Sequence, residues 1–163
     1  MDAQTAANRE MVRRKFEEIW IKGNYDYVYE YTSEDFVGHM PDGEVHGPDG
    51  LKRYVIAWLS AWSDRVFHLE DIISEDDRVL LRWTMDGTHT GTIRGIFKPT
   101  GRRVTIKGWS IMRTSGGTVV ESWAMIDRLG MMFQLGPDVM TQLRDMPPNK
   151  LLAAATAAVD SDA

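Results

Sequence analysis

The sequence contains no cysteine, which removes disulfides, thiolate metal sites, iron–sulfur clusters and cysteine nucleophiles together. It has no excess of positive charge either: 19 Lys and Arg stand against 24 Asp and Glu, a formal charge of −5. Neither nucleic-acid phosphates nor an anionic membrane surface is therefore an expected partner. No apolar run approaches the roughly 20 residues that cross a bilayer; the most apolar stretch, 151–159, is short and mostly alanine. Residues 1–14 carry charges throughout and lack the apolar core and cleavage site of an export signal, so a cytoplasmic location is expected. Several signatures of chemistry are also missing. There is no His-Glu-x-x-His helix, and His39 and His46 flank a glycine-containing loop that matches no strong ligand spacing, so no metal is expected. Gly87, Gly91 and Gly95 do not form a Gly-x-Gly-x-x-Gly turn, so no nicotinamide or flavin cofactor is implied. No serine stands in a Gly-x-Ser-x-Gly elbow, which leaves a hydrolase triad without support.

What is present is the composition of one folded domain: 163 residues, 43% hydrophobic and 26% charged, within the globular range. The domain is expected over residues 1–145, followed by an alanine-rich tail over 146–163 with little to bury. Val12, Phe16, Ile19 and Trp20 share a helical stripe that ends at Gly23. Residues 24–31 read as a short helix and 35–40 as a short strand ended by Pro41-Asp42-Gly43. After Gly47-Pro48, residues Leu51, Tyr54, Val55, Trp58, Leu59 and Trp62 mark the clearest helix. Beyond it the period falls to two, with strands expected over 66–73, 78–90, 102–113 and 118–127. Short polar connectors suit hairpins. Leu129, Met132 and Phe133 open a further helix, and Gly136-Pro137 restarts another. The order predicts an α+β fold with helices on one face of a curved, mainly antiparallel sheet, enclosing a conical cavity.

Specific blocks then carry a family likeness. The run Val12-Arg13-Arg14-Lys15-Phe16-Glu17-Glu18-Ile19-Trp20, with Gly23-Asn24 and Asp35-Phe36-Val37-Gly38-His39, is its opening. Gly87-Thr88-His89-Thr90-Gly91 with Pro99-Thr100-Gly101-Arg102, then Gly108-Trp109-Ser110-Ile111-Met112-Arg113, Val120-Glu121-Ser122-Trp123 and Asp127-Arg128-Leu129-Gly130 continue it. Over about residues 8–136 the chain resembles the SnoaL-like polyketide cyclases of the NTF2-like superfamily. The resemblance implies an NTF2-like cone with N-terminal helices on the concave face, an apolar pocket, a homodimer through the outer sheet face, and aldol-type ring closure of a polyketide without metal or cofactor. It also implies that the acid/base carboxylate is Asp127, while Met112 stands where the cyclases carry histidine.

The residues allow that chemistry. Alternation puts Glu121, Trp123, Met125 and Asp127 on one face of the last strand and Val120, Ser122, Ala124 and Ile126 on the other. If the first set faces the cavity, desolvation raises the Asp127 pKa from about 3.9 toward the range useful for proton transfer. The alternative is that Asp127 caps the helix beginning near Leu129. His39 either relays a proton or hydrogen-bonds a substrate carbonyl in the pocket, or anchors its turn. His46, His68 and His89 read as structural. Trp20, Trp58 and Trp62 read as core; Trp83, Trp109 and Trp123 are pocket candidates, joined by Ser110, Met112 and Met125. The expected partner is a small hydrophobic carbonyl-bearing substrate. Isomerisation, epoxide opening or hydroxylation would use similar residues, a ligand carrier is a rival from another class, and a dimeric interaction domain with a plugged cavity is a third.

Overall fold

A computed structural model describes residues 2–93 and 95–147. The tail expected over 146–163 lies outside the described residues from position 148 onward. Helix α1 (Ala3–Phe16) starts where the Asp2 carboxylate accepts the Thr5 N–H at 2.8 Å, satisfying one of the donors that the first turn leaves unpaired. It runs into a π-helical turn, Glu17–Ile21, and the wider turn brings both Ile19 and Trp20 toward the core. A 3-10 turn (Tyr25–Tyr27) and the one-turn helix α2 (Val28–Tyr31) follow, where a short helix was expected. Helix α3 (Gly47–Leu59) has Pro48 in its first turn, where the missing N–H costs nothing.

Strands β1 (Thr32–Met40), β2 (Gly43–His46), β3 (Trp62–Glu75), β4 (Arg78–His89), β5 (Arg103–Ser115) and β6 (Thr118–Ile126) form one sheet in the order β2-β1-β6-β5-β4-β3. All neighbours are antiparallel except β1 and β6. The β5–β6 turn holds Gly116 and Gly117 at φ +57° and +81°, the paired positive values that a two-residue hairpin needs to match strand twist. Helices α4 (Arg128–Leu135) and α5 (Pro137–Arg144) complete the described chain. Among the described residues no helix is long and apolar enough to cross a membrane.

The expected α+β architecture, a curved, mostly antiparallel open sheet with helices on its concave face, is what the chain adopts. Trp62, expected on the α3 stripe, instead opens β3 because α3 ends at Leu59, and two further features differ from the expectation. Strand β2 forms where a loop was expected, pairing Val45 with Gly38 and burying Val45. The other is a β-bulge in β6: Arg113 faces Glu121 while Thr114 faces Val119, leaving Val120 unopposed. Both Val119 and Ser122 therefore point inward, so alternation does not run unbroken through β6.

The core lies between the concave face and helices α1 and α3. Val79, Leu81, Trp83 and Met85 of β4 meet Val12 and Phe16 from α1, Ile19 from the π-helical turn and Val55 and Leu59 from α3, all buried. Trp83 lies over Gly108 on β5: a Cβ at 108 would stand 2.4 Å from its ring carbon Cζ2. The absent side chain makes room for the indole.

Candidate functional site

A cavity remains between α1, α3 and the sheet. Its helical wall is Lys15, Phe16, Ile19, Trp20, Leu51, Tyr54 and Val55; Phe36 and Met40 of β1 close one side. The floor is Leu81 and Trp83 of β4, Ser110 and Met112 of β5, and Val119, Ser122, Ala124 and Ile126 of β6. Ser110 faces Ala124 across the ladder and Met112 faces Ser122, so the two serines are diagonal neighbours on adjoining strands. The volume is about 50 Å³, well under the roughly 300 Å³ at which sites for drug-sized ligands begin. Two of its lining side chains, Met40 and Met112, are flexible methionines. A wider depression of about 600 Å³ between α4 and α5, bounded by Phe133, Pro137, Met140 and Arg144, opens broadly to solvent and, among the described residues, holds no cluster of groups suited to catalysis.

One ionisable side chain reaches the cavity from α1. Lys15 is 3% exposed. Its Nζ donates to Thr32 Oγ1 at 2.8 Å and lies 5.5 Å from the centre of the Phe36 ring. Burial pushes its pKa down from 10.5 to about 7, because an ammonium in an apolar wall loses its hydration. Desolvation is the cause of the fall, and among the described residues no carboxylate pairs with the amine to offset it. Thr32 is itself buried, so this hydrogen bond lies away from solvent.

The proposed pocket residues divide between the two faces of the sheet. Trp83, Ser110 and Met112 line the cavity as expected. Trp109, Trp123, Met125, His39 and Asp127 do not line it. Inward positions on β5 are even-numbered, so Trp109 points outward and is 39% exposed. On β6 beyond the bulge, Ser122, Ala124 and Ile126 turn inward and leave Trp123 and Met125 outside. This reverses the orientation on which the buried-carboxylate expectation depended. Asp127 is exposed and accepts the Gly130 N–H at 2.8 Å as the N-cap of α4, the capping alternative raised by its sequence. His39 sits opposite Trp123 in register and stacks on it, with ring centroids 5.5 Å apart. Its Nε2 is 3.0 Å from Glu121 Oε1, and its Nδ1 is 3.3 Å from Glu44. Hydrogen bonds from His39 and Arg113 hold the Glu121 carboxyl below its ordinary range. These outer-face groups form a network separate from the cavity. His89 is fully buried, and its Nδ1 accepts the Thr100 N–H at 3.2 Å, tying the β4–β5 connection down. Burial lowers its pKa.

The sequence pattern of the SnoaL-like polyketide cyclase family matches residues 10–135. The chain belongs to this family. No protein of curated function matches it. Among solved structures, AclR from Streptomyces galilaeus, provisionally named a hydroxylase, is 28% identical, with 80% of this chain and 96% of that one covered and a TM-score of 0.69. IdmH from Streptomyces antibioticus, provisionally named a polyketide cyclase, is 25% identical over 80% of this chain and 99% of that one, with a TM-score of 0.64. A SnoaL-like protein from Jannaschia sp. CCS1, 21% identical over 83% of this chain and 95% of that one, shares the fold with a TM-score of 0.76.

Within this SnoaL-like chain the sequence reading passed over Lys15. The signal was there: Lys15 follows Val12 by three positions and precedes Ile19 by four, so it lies on the stripe that faces the core. A lysine inside an apolar stripe either snorkels outward or is buried, and its flank of Arg13 and Arg14 disguised it as part of a solvated basic run.

Proposed function

We propose that this SnoaL-like protein is a cofactor-independent enzyme that takes the carbonyl-bearing end of a small hydrophobic compound into the helix-side cavity and catalyses aldol-type ring closure there. Lys15, rather than Asp127, is the basic group. The observation that carries the reading is an amine in the wall of an apolar cavity with no carboxylate partner among the described residues. An amine with a pKa of about 7 is divided between its two protonation states at neutral pH, the condition for efficient proton transfer to and from carbon and oxygen. The Ser110 and Ser122 hydroxyls on the floor supply donors for charge that develops on a substrate oxygen. The apolar walls exclude water and strengthen those contacts.

The test is a panel of β-dicarbonyl compounds of increasing size, followed by quenching of tryptophan fluorescence and by product formation. Trp20 and Trp83 line the cavity, so saturable quenching is expected, with turnover above the uncatalysed rate. Lys15→Met should retain binding and lose turnover. Binding without turnover anywhere in the panel would make the protein a carrier, and no binding at all would remove the reading.

The same proposal includes a homodimer through the outer sheet face. Trp109 and Met125 are opposed in register there and both exposed, an apolar pair that a second copy would remove from water.

A further inference from the structure

We infer that Lys15 acts covalently: its amine adds to the carbonyl carbon of the substrate and carries the reaction as an imine and then an enamine. This rests on reading the cavity as a carbonyl site and names the bond through which that site works. The side chain enters from α1, is buried, and makes its hydrogen bond to Thr32 Oγ1 at 2.8 Å. A neutral amine carries two N–H groups and one lone pair. With one N–H given to Thr32, the lone pair is unspent at the cavity wall. Packing does not account for a lysine here, because methionine would fill the same length without a charge to desolvate. With its pKa at about 7, close to half the amine is neutral at neutral pH, against a few parts in ten thousand for an exposed lysine. Desolvation of this kind is a recognised way of activating a lysine toward carbonyl groups.

The steps balance without an oxidant or reductant. The Lys15 nitrogen forms a bond to the carbonyl carbon, and the carbonyl oxygen leaves as water, taking one amine hydrogen and one hydrogen from the adjoining carbon. The resulting enamine carbon bonds to a second carbonyl carbon, whose oxygen gains a proton. One water then cleaves the iminium and restores the amine. The net reaction is an aldol addition.

The experiment uses the full chain and acetylacetone, the smallest β-diketone, whose lysine adduct is a conjugated enaminone visible in the near ultraviolet and by mass. The expected result is one adduct, weighing the probe less one water, mapped to the peptide carrying Lys15. Labelling should be at least about a hundredfold faster than at exposed Lys22 or Lys107 near pH 7, and should rise with pH to a plateau above that range. Lys15→Met should abolish it. Because the site is mapped in the unaltered protein, the result does not depend on the variant folding. Saturable fluorescence quenching by acetylacetone with no adduct at Lys15 would overturn the covalent step and leave the carbonyl-site reading intact. Adducts spread evenly over exposed lysines would overturn it equally. Absence of both quenching and adduct would overturn both proposals.

Discussion

Replacing Lys15 with methionine should make the protein more stable, and the gain should shrink as pH rises. The unfolded chain holds Lys15 near its ordinary pKa of 10.5, whereas burial sets it at about 7 in the folded protein. Below about pH 7 both states carry the proton and the folded state bears the full desolvation penalty. Between 7 and 10.5 the unfolded state binds a proton that the folded state lacks, so stability rises with pH. Above 10.5 neither state is charged and the penalty is gone. At 1.36 kcal/mol per pKa unit, the penalty is about 4 kcal/mol at about pH 7 and about 2 kcal/mol at about pH 9. Loss of the hydrogen bond to Thr32 takes back about 1 kcal/mol. The Lys15→Met variant should therefore be more stable by about 3 kcal/mol at about pH 7 and about 1 kcal/mol at about pH 9. For a chain of this size the first figure is a rise in Tm of roughly 6–12 °C. Chemical and thermal denaturation of both proteins across this range measure the difference directly. A variant that is less stable, or a difference that does not change with pH, would refute the placement of an unpaired amine in the core.

Asp127→Asn should leave turnover and stability within about 0.5 kcal/mol of the parent, since asparagine caps a helix as well as aspartate; Asp127→Ala should cost about 1 kcal/mol in denaturation without changing the rate. Gly108→Ala should displace the Trp83 ring, which lies 2.4 Å from the new Cβ position, destabilising by about 1–3 kcal/mol with a shift in tryptophan emission. Met112→Ala should enlarge the cavity and admit water, moving the midpoint of Lys15 labelling upward from about 7 even as larger ligands bind. Met125→Lys should convert a dimer to a monomer in sedimentation equilibrium while leaving ligand binding in place; a parent protein that stays monomeric at all concentrations would refute the interface.

Legibility in the sequence followed the strength of the local pattern. Helix α3 was plain because Pro48 fixes its start and Leu51, Tyr54, Val55, Trp58 and Leu59 share one stripe. The meander was plain because turn residues punctuate runs of period two. Strand β2 was not, since Gly43–His46 has four residues, of which Val45 alone is buried. Its partner is also a matter of tertiary pairing, which no local pattern encodes. The site failed for a related reason. Alternation sorts a strand into two sets but does not say which set faces inward. The aromatic set, with Trp123 and Met125, is the more hydrophobic choice, yet the inward set is Ser122, Ala124 and Ile126. Small side chains face the cavity because the space above the floor is already taken by Trp20, Tyr54 and Phe16 from the helices.

That division of space explains where the chemistry can reside. A strand floor of serine, alanine and methionine can donate hydrogen bonds but carries no strong base, and the charged residues of β5 and β6, such as Arg113 and Glu121, neutralise one another on the outer face. A base that works inside must come from the helical cover, where Lys15 is the residue at hand. Its protonation is then governed by how dry the helix–sheet contact is, because no carboxylate among the described residues pairs with it. Packing around α1 therefore sets the proton affinity of the amine, and the same contacts that hold Phe16 and Ile19 against the sheet keep it out of water.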